Sequence, residues 1–255
     1  MPTMRVVNRL GKGVFVEIFR NWGNVGGGLH FLARYAHILV GVAWIGLLYF
    51  FNFVQVPAYA ELSAGARTEA FDKVTWRALW WFRMAAAATF VTGAIMWAVA
   101  GDEYKHGQLL SISWGSILGI TMFLNVWGVI WVNQKINITS LRTEGKPNAD
   151  AAKKAARASR ANALFSIPML FFMVFTSHFS ANYKDPSGGK LVAAWIMFVV
   201  LWLFVEASAL GFIGGLDSPF NKLAFDKHKN TIIAGAVYWL VLLIVGWELI
   251  IGGIH

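Results

Sequence analysis

Residues 231–254 have the sequence TIIAGAVYWLVLLIVGWELIIGGI, which contains a single charged residue, Glu248. A run of about 20 apolar residues can cross the hydrocarbon core of a bilayer as an α-helix. Because lipid offers the backbone no hydrogen-bond partner, a helix is the expected structure of such a run. Five further runs of this kind lie at residues 29–56, 78–100, 111–132, 163–182 and 191–215. The sequence therefore predicts an all-α fold, a polytopic membrane helix bundle of about six transmembrane helices at 29–255.

The composition is also that of a membrane protein. Hydrophobic residues make up 57% of the chain and charged residues 14%, whereas soluble domains carry about 25% charged residues. The absence of cysteine excludes disulfides, thiolate metal sites, iron–sulfur clusters and covalently attached c-type haem. The net charge of +9 is assigned to topology and lipid contact. Since no nucleic-acid-binding motif accompanies it, no nucleic-acid partner is expected.

Residues 1–28 differ from the six runs because charged residues interrupt them. Apolar residues recur there at helical spacing, at Val7, Leu10, Val14, Ile18 and Trp22. This pattern predicts an amphipathic interfacial helix that lies on the bilayer surface. A glycine-rich linker at 23–28 then leads into the first span.

The distribution of lysine and arginine predicts the orientation. Six spans place both termini on one side, and the first, third and fifth loops on the other side carry more Lys and Arg residues. The side richer in these residues is usually cytoplasmic. We therefore expect a multi-pass protein of a prokaryotic inner membrane with both termini periplasmic.

Three ionisable residues, His37, His178 and Glu248, lie inside apolar runs. Such side chains are costly in hydrocarbon unless they are paired or ligated, and they mark candidate functional sites. At a rise of about 1.5 Å per residue, they lie about 12, 6 and 9 Å below the outer face. Groups from three helices at one depth can converge on a single site.

Three interpretations of this cluster remain open. In the first, His37 and His178 are the two axial ligands of a haem b. In the second, copper or another metal is held by both histidines and Glu248. In the third, the histidines bind only neighbouring helices, or relay protons with Glu248.

A second polar pair, Arg83 and Glu206, lies nearer the cytoplasmic side of its spans. An isolated charge at that depth would be costly, so mutual pairing is the simplest arrangement. We predict a structural ion pair between them.

Several motifs resemble the membrane domain of the cytochrome c-linked, membrane-bound urate oxidase (urate hydroxylase) family. They are RYAHILVGVAWIG at 34–46, NVW at 125–127, WVNQK at 131–135 and MVFTSHF at 173–179. The resemblance implies oxidation chemistry with electrons passed to a cytochrome c. His37 and His178 match family motif positions, whereas Glu248 is not placed on a family motif.

The chain contains no haem-attachment motif, since it has no cysteine. We therefore expect the cytochrome c module of the family to be absent here and any cytochrome c to be a separate periplasmic protein. Two functions follow as hypotheses. One is a membrane redox protein that binds haem or a metal at the histidines, with urate oxidation as its narrower form. The other is a non-catalytic accessory subunit of a larger respiratory or oxidase complex in the membrane.

Overall fold

The structure is a computed structural model that describes residues 22–24, 26–104, 106–183 and 186–252. The predicted amphipathic helix lies almost entirely in residues 1–21, outside these ranges. The described residues form seven helices and no strand. In chain order they are α1 (Gly28–Glu61), α2 (Ala64–Glu103), α3 (Gly107–Glu144), α4 (Ala149–His178), α5 (Gly188–Ala209), α6 (Pro219–Phe225) and α7 (His228–Ile251).

All of these helices except α6 are long and apolar enough to cross a membrane. The prediction of a six-span all-α bundle is therefore confirmed. Several helices are longer than the apolar runs from which they were predicted, and α3 continues as a polar extension from Trp131 to Glu144. The fifth helix is shorter than its apolar run, because α5 ends at Ala209 and a glycine-rich loop follows.

Helix α4 is the central element of the bundle. Within its apolar window 67% of the residues are buried, against 22–39% for the other five spans. Small residues let its neighbours approach closely, as is usual between helices in lipid. Gly115 of α3 faces Met169 and Met173 of α4, and Gly235 of α7 faces Leu164.

The densest part of the core is aromatic and lies where α3, α4, α5 and α7 meet. Trp114 and Phe198 are fully buried and stack with ring centroids 5.0 Å apart. Phe172 and Trp247 complete this cluster. The α1–α2 pair packs beside this core, so the space between the two groups of helices is less completely filled.

Gly235→Ala should destabilise the protein by about 1–3 kcal/mol, because overpacking a tight helix contact forces the backbones apart. An added Cβ would lie 3.0 Å from the carbonyl oxygen of Leu164 and 3.3 Å from its Cα. The matched control is Gly128→Ala in α3, where nothing lies within 4 Å of the new methyl group. Thermal unfolding in detergent should separate the two variants, and equal midpoints would contradict the close α4–α7 contact.

Candidate functional site

A largely apolar cleft of about 1090 Å³ lies between the α1–α2 pair and helices α3 and α4. Its size is slightly above the range for small-molecule and cofactor pockets, roughly 300–1,000 Å³. The polar groups among its lining residues are those of His37, Tyr49, Thr89, Ser113 and Ser116, together with the indole N–H groups of Trp44, Trp97 and Trp195. The cleft therefore suits an apolar ligand that has few polar contacts.

Two glycines flatten the α1 wall of the cleft. A Cβ added at Gly41 or Gly46 would meet no atom within 4 Å, so open space lies beside both positions. Across the cleft, the Trp97 indole of α2 donates a hydrogen bond to Ser116 of α3 at 3.0 Å. This bond joins two walls of the cleft and leaves its centre apolar.

His37 lies on the wall of the cleft and is held by α2. Its Nδ1 lies 2.9 Å from the Thr89 carbonyl oxygen and 3.1 Å from Thr92 Oγ1. A carbonyl oxygen can only accept, so Nδ1 carries the proton and Nε2 has an available lone pair. Gly93 permits this position, because a Cβ there would lie 3.2 Å from His37 Cε1. The ring is therefore oriented in the way that histidine ligands of metals and haems usually are.

His178 is exposed at the end of α4. Its Nδ1 donates to the Val174 carbonyl oxygen one turn earlier, at 3.0 Å, so Nε2 is again the ring nitrogen that can accept. Val174 itself lines the cleft. Residues four apart share a helix face, so His178 lies one turn beyond Val174 on the same side of α4, but it is not itself a lining residue of the cleft.

Helical rise places the two histidines at similar depth. Tyr49 of α1 and Ser166 of α4 are hydrogen-bonded at 2.9 Å. His37 precedes Tyr49 by the same number of residues as His178 follows Ser166. Since α1 and α4 cross the bilayer in opposite directions, equal steps along both helices bring the histidines to a common level.

Glu248 lies apart from this arrangement. The exposed Glu248 carboxylate accepts a hydrogen bond from the Tyr183 hydroxyl, and the tyrosine is buried. Burial and the adjacent carboxylate together raise the pKa of Tyr183 to about 12. Within the described ranges no three His, Asp or Glu side chains form a group that could hold a metal ion. The structure thus does not assemble Glu248 and the two histidines into one metal centre.

The predicted ion pair between Arg83 and Glu206 is not formed. The Arg83 guanidinium lies over the Trp131 ring, 3.4 Å from its centroid, and Glu206 accepts a hydrogen bond from Asn125 at 3.1 Å. Trp127, the second ring near Arg83, and Asn125 are two residues apart on α3 and so face nearly opposite sides of it. Arg83 and Glu206 therefore approach α3 from different directions.

Sequence reasoning did not identify Asn162, which binds the Asn125 amide that donates to Glu206. The Asn125 amide also donates to Asn162 of α4 at 3.0 Å, and Asn162 donates to the Met122 carbonyl oxygen at 2.9 Å. Asn162 is fully buried. Its position at the edge of an apolar run was the available signal, but a lone asparagine at a span boundary is unremarkable in a sequence.

The fold and the cleft define a multi-pass helical membrane protein with an open, ligand-sized cleft between its helices. A family model described as urate oxidase N-terminal matches residues 88–210, slightly less than half of the chain. The match runs from the middle of α2 to the end of α5, so it includes His178 and excludes His37 and Glu248. No curated protein and no solved structure matches the chain significantly.

Tyr183→Phe should make the stability of the folded protein less sensitive to alkaline pH. Because the pKa of Tyr183 is raised from 10.0 to about 12 in the folded protein, its contribution is present below pH 10 and is lost as the pH rises toward about 12. Unfolding midpoints in detergent should therefore fall less steeply between pH 10 and 12 in Tyr183→Phe than in the wild type. Tyr35→Phe, which changes an exposed tyrosine, should keep the wild-type profile. Identical profiles for all three proteins would contradict the assignment.

Proposed function

We propose that the protein is an integral membrane redox protein that binds haem b in the cleft between the α1–α2 pair and helices α3 and α4. In this proposal it passes electrons to a separate periplasmic cytochrome c. The observation that carries the proposal is the setting of His37. Its ring lies on the wall of a large apolar cleft, and its Nδ1 proton is committed to the Thr89 carbonyl oxygen. The remaining nitrogen, Nε2, is the atom that ligates iron in such an arrangement.

The residues of the cleft fit a flat apolar macrocycle. Open space beside Gly41 and Gly46 accommodates a planar face, and Trp44 and Phe90 supply aromatic walls. Haem also carries two carboxylates that need polar surroundings. Arg34 lies one turn before His37 on α1, is exposed, and is bonded to His30 Nε2 at 3.1 Å. In this proposal its charge would serve the haem carboxylates.

His178 would be the second residue to hold the haem in this proposal. Its distance along α4 from Ser166 matches that of His37 from Tyr49 along α1. Its ring bonds the carbonyl oxygen of Val174, which lines the cleft, although His178 itself is exposed and is not among the lining residues. When bound, haem supplies reversible one-electron oxidation and reduction. The protein's own groups orient the ligating ring from α2 and exclude water with apolar walls. Copper bound by the two histidines is the alternative cofactor. Glu248 is not a ligand in that case, because its carboxylate accepts the hydrogen bond from Tyr183.

The match of residues 88–210 to a urate oxidase N-terminal model supports an oxidase role. The narrower proposal is that urate is the reductant and that a cytochrome c of the membrane-bound urate oxidase type receives its electrons. The periplasmic partner follows from the proposed orientation of both termini and from the depth of the histidines near that face.

Protein purified from haem-supplied cells should show a Soret band that His37→Ala removes. His178→Ala should instead retain part of the pigment with a changed spin state, because one axial ligand remains. His228→Ala is the matched control, since this residue lies outside the cleft lining and contacts Phe53. A pigment-free and metal-free wild-type preparation would sink the proposal.

Urate oxidation is tested in membranes supplied with ferric cytochrome c. Wild-type membranes should reduce the cytochrome when urate is added, and His178→Ala should abolish this reduction while the protein remains in the membrane. If wild-type membranes leave urate unchanged, the redox role must serve another reductant.

A non-catalytic accessory subunit is the second candidate. The open glycine positions in α1 and the exposed Val42 and Val174 on the cleft rim would also accept a helix of a partner subunit. Gentle extraction followed by mass analysis distinguishes the two functions. A stoichiometric membrane partner without pigment supports the accessory role, and a pigmented monomer supports the redox role.

A further inference from the structure

Two arginines are buried at the end of α4 that is remote from His178. Arg157 and Arg160 are each only 6% exposed, and they lie three residues apart on one face of the helix. A buried guanidinium needs hydrogen bonds and a counter-charge to offset its lost hydration. The two arginines differ in whether the protein supplies them.

Each nitrogen of the Arg157 guanidinium has a partner in the segment that joins α5 to α7. It donates to the carbonyl oxygens of Leu216 at 3.0 Å and Asn221 at 3.2 Å. It also forms an ion pair with Asp226 at 2.6 Å. These contacts fasten the loop and helix α6 to α4.

Arg160 has no such partners in the described part of the chain. Its buried NH1 nitrogen makes no hydrogen bond, and the side chain forms no ion pair there. Asp226, whose charge acts on Arg160, is already bonded to Arg157 and is half exposed. A second carboxylate, Asp217, lies 3.9 Å from Arg157 but is paired with Lys153. Lys153, Arg157 and Arg160 together therefore carry more positive charge than Asp217 and Asp226 neutralise. Within the described residues Arg160 has no ion pair of its own, and an external anion would supply the missing counter-charge.

The surface around this end of α4 indicates what kind of anion. Leu223 of α6 is 71% exposed and Phe212 of the preceding loop is 81% exposed. Three exposed lysines accompany these apolar side chains: Lys222, Lys227 and Lys229. Exposed apolar side chains next to cations match the boundary between acyl chains and anionic headgroups.

Hydrogen bonds hold these features at one end of the bundle. Thr231 of α7 donates to the Ala224 carbonyl oxygen at 2.8 Å, and Asn230 donates to the Leu223 carbonyl oxygen at 2.8 Å. With the Arg157–Asp226 pair, these bonds join α4, α6 and α7 beside Arg160. Basic sites between membrane helices are a known setting for anionic lipid headgroups.

We propose that Arg160 binds the headgroup phosphate of an anionic phospholipid, whose acyl chains lie against the exposed apolar side chains of α6 and its preceding loop. A guanidinium can form paired, charge-assisted hydrogen bonds to phosphate oxygens. This contact supplies the counter-charge that Arg160 lacks. It also makes the bound lipid part of the packing between α4 and the α6 segment.

The test is native mass spectrometry of delipidated protein titrated with phosphatidylglycerol or with phosphatidylcholine. The wild type should retain phosphatidylglycerol preferentially, and Arg160→Gln should weaken that binding by about tenfold, the loss of one charge-assisted contact. Arg142→Gln is the matched control. It removes the same charge from an exposed arginine paired with Asp72 on a different part of the surface, and it should leave lipid binding unchanged.

Two further arms keep the result decisive. Arg160→Lys retains the charge and should fold, but it should bind phosphatidylglycerol more weakly than the wild type because lysine lacks the paired donors. Inorganic phosphate at millimolar concentration should not displace the lipid. Displacement by phosphate, equal binding of the two lipids by the wild type, or unchanged binding in both Arg160 variants would each overturn the proposal. None of these readouts depends on haem or on redox activity.

Discussion

Hydrogen bonds from one central helix, α4, connect the bundle, and the rest of the structure depends on them. Ser159 and Ser166 bind Asn52 and Tyr49 of α1. Thr176 binds Ser111 of α3, and further bonds come from Asn162 to α3 and from Arg157 to the α6 segment. In hydrocarbon, apolar side chains gain little by leaving lipid for protein, so close packing and polar contacts must select the neighbours of each helix. Because α4 carries polar residues on several faces, other helices pack against it on several sides.

The positions of the hydrogen bonds between helices explain why the cleft is present. Tyr49 and Asn52 fasten α1 to α4 toward one end of the span, and Trp97 fastens α2 to α3 elsewhere. Between these points the cleft stays open, although Trp44 and Phe82 of the α1–α2 pair pack into the core, and glycines leave the α1 surface flat. His37 lies in this gap and is oriented by α2. A hydrogen bond between neighbouring helices thus orients the His37 ring at the wall of the apolar cleft, just as other hydrogen bonds between helices hold the bundle together.

The sites illustrate how far residue depth can be inferred from the chain. Counting along the apolar runs predicted that His37 and His178 share a level, and the Tyr49–Ser166 contact supports that. The same counting predicted that Arg83 pairs with Glu206, yet Arg83 stacks on Trp131 and Glu206 accepts from Asn125. The lysines and arginines of the third loop served in the sequence analysis only to predict orientation, whereas the structure shows that the side chain of one of them, Arg160, is buried.

The length and apolarity of the six runs by themselves determined a helical membrane protein, because lipid leaves the backbone no alternative to internal hydrogen bonds. Helical rise likewise determined the approximate depth of each polar residue. Only the tertiary structure decided which helices are neighbours and which face of each one is covered. The reason is that depth is a property of a single helix, whereas a partner such as Asn162 for Asn125, or Tyr183 for Glu248, depends on lateral packing between segments distant in the chain.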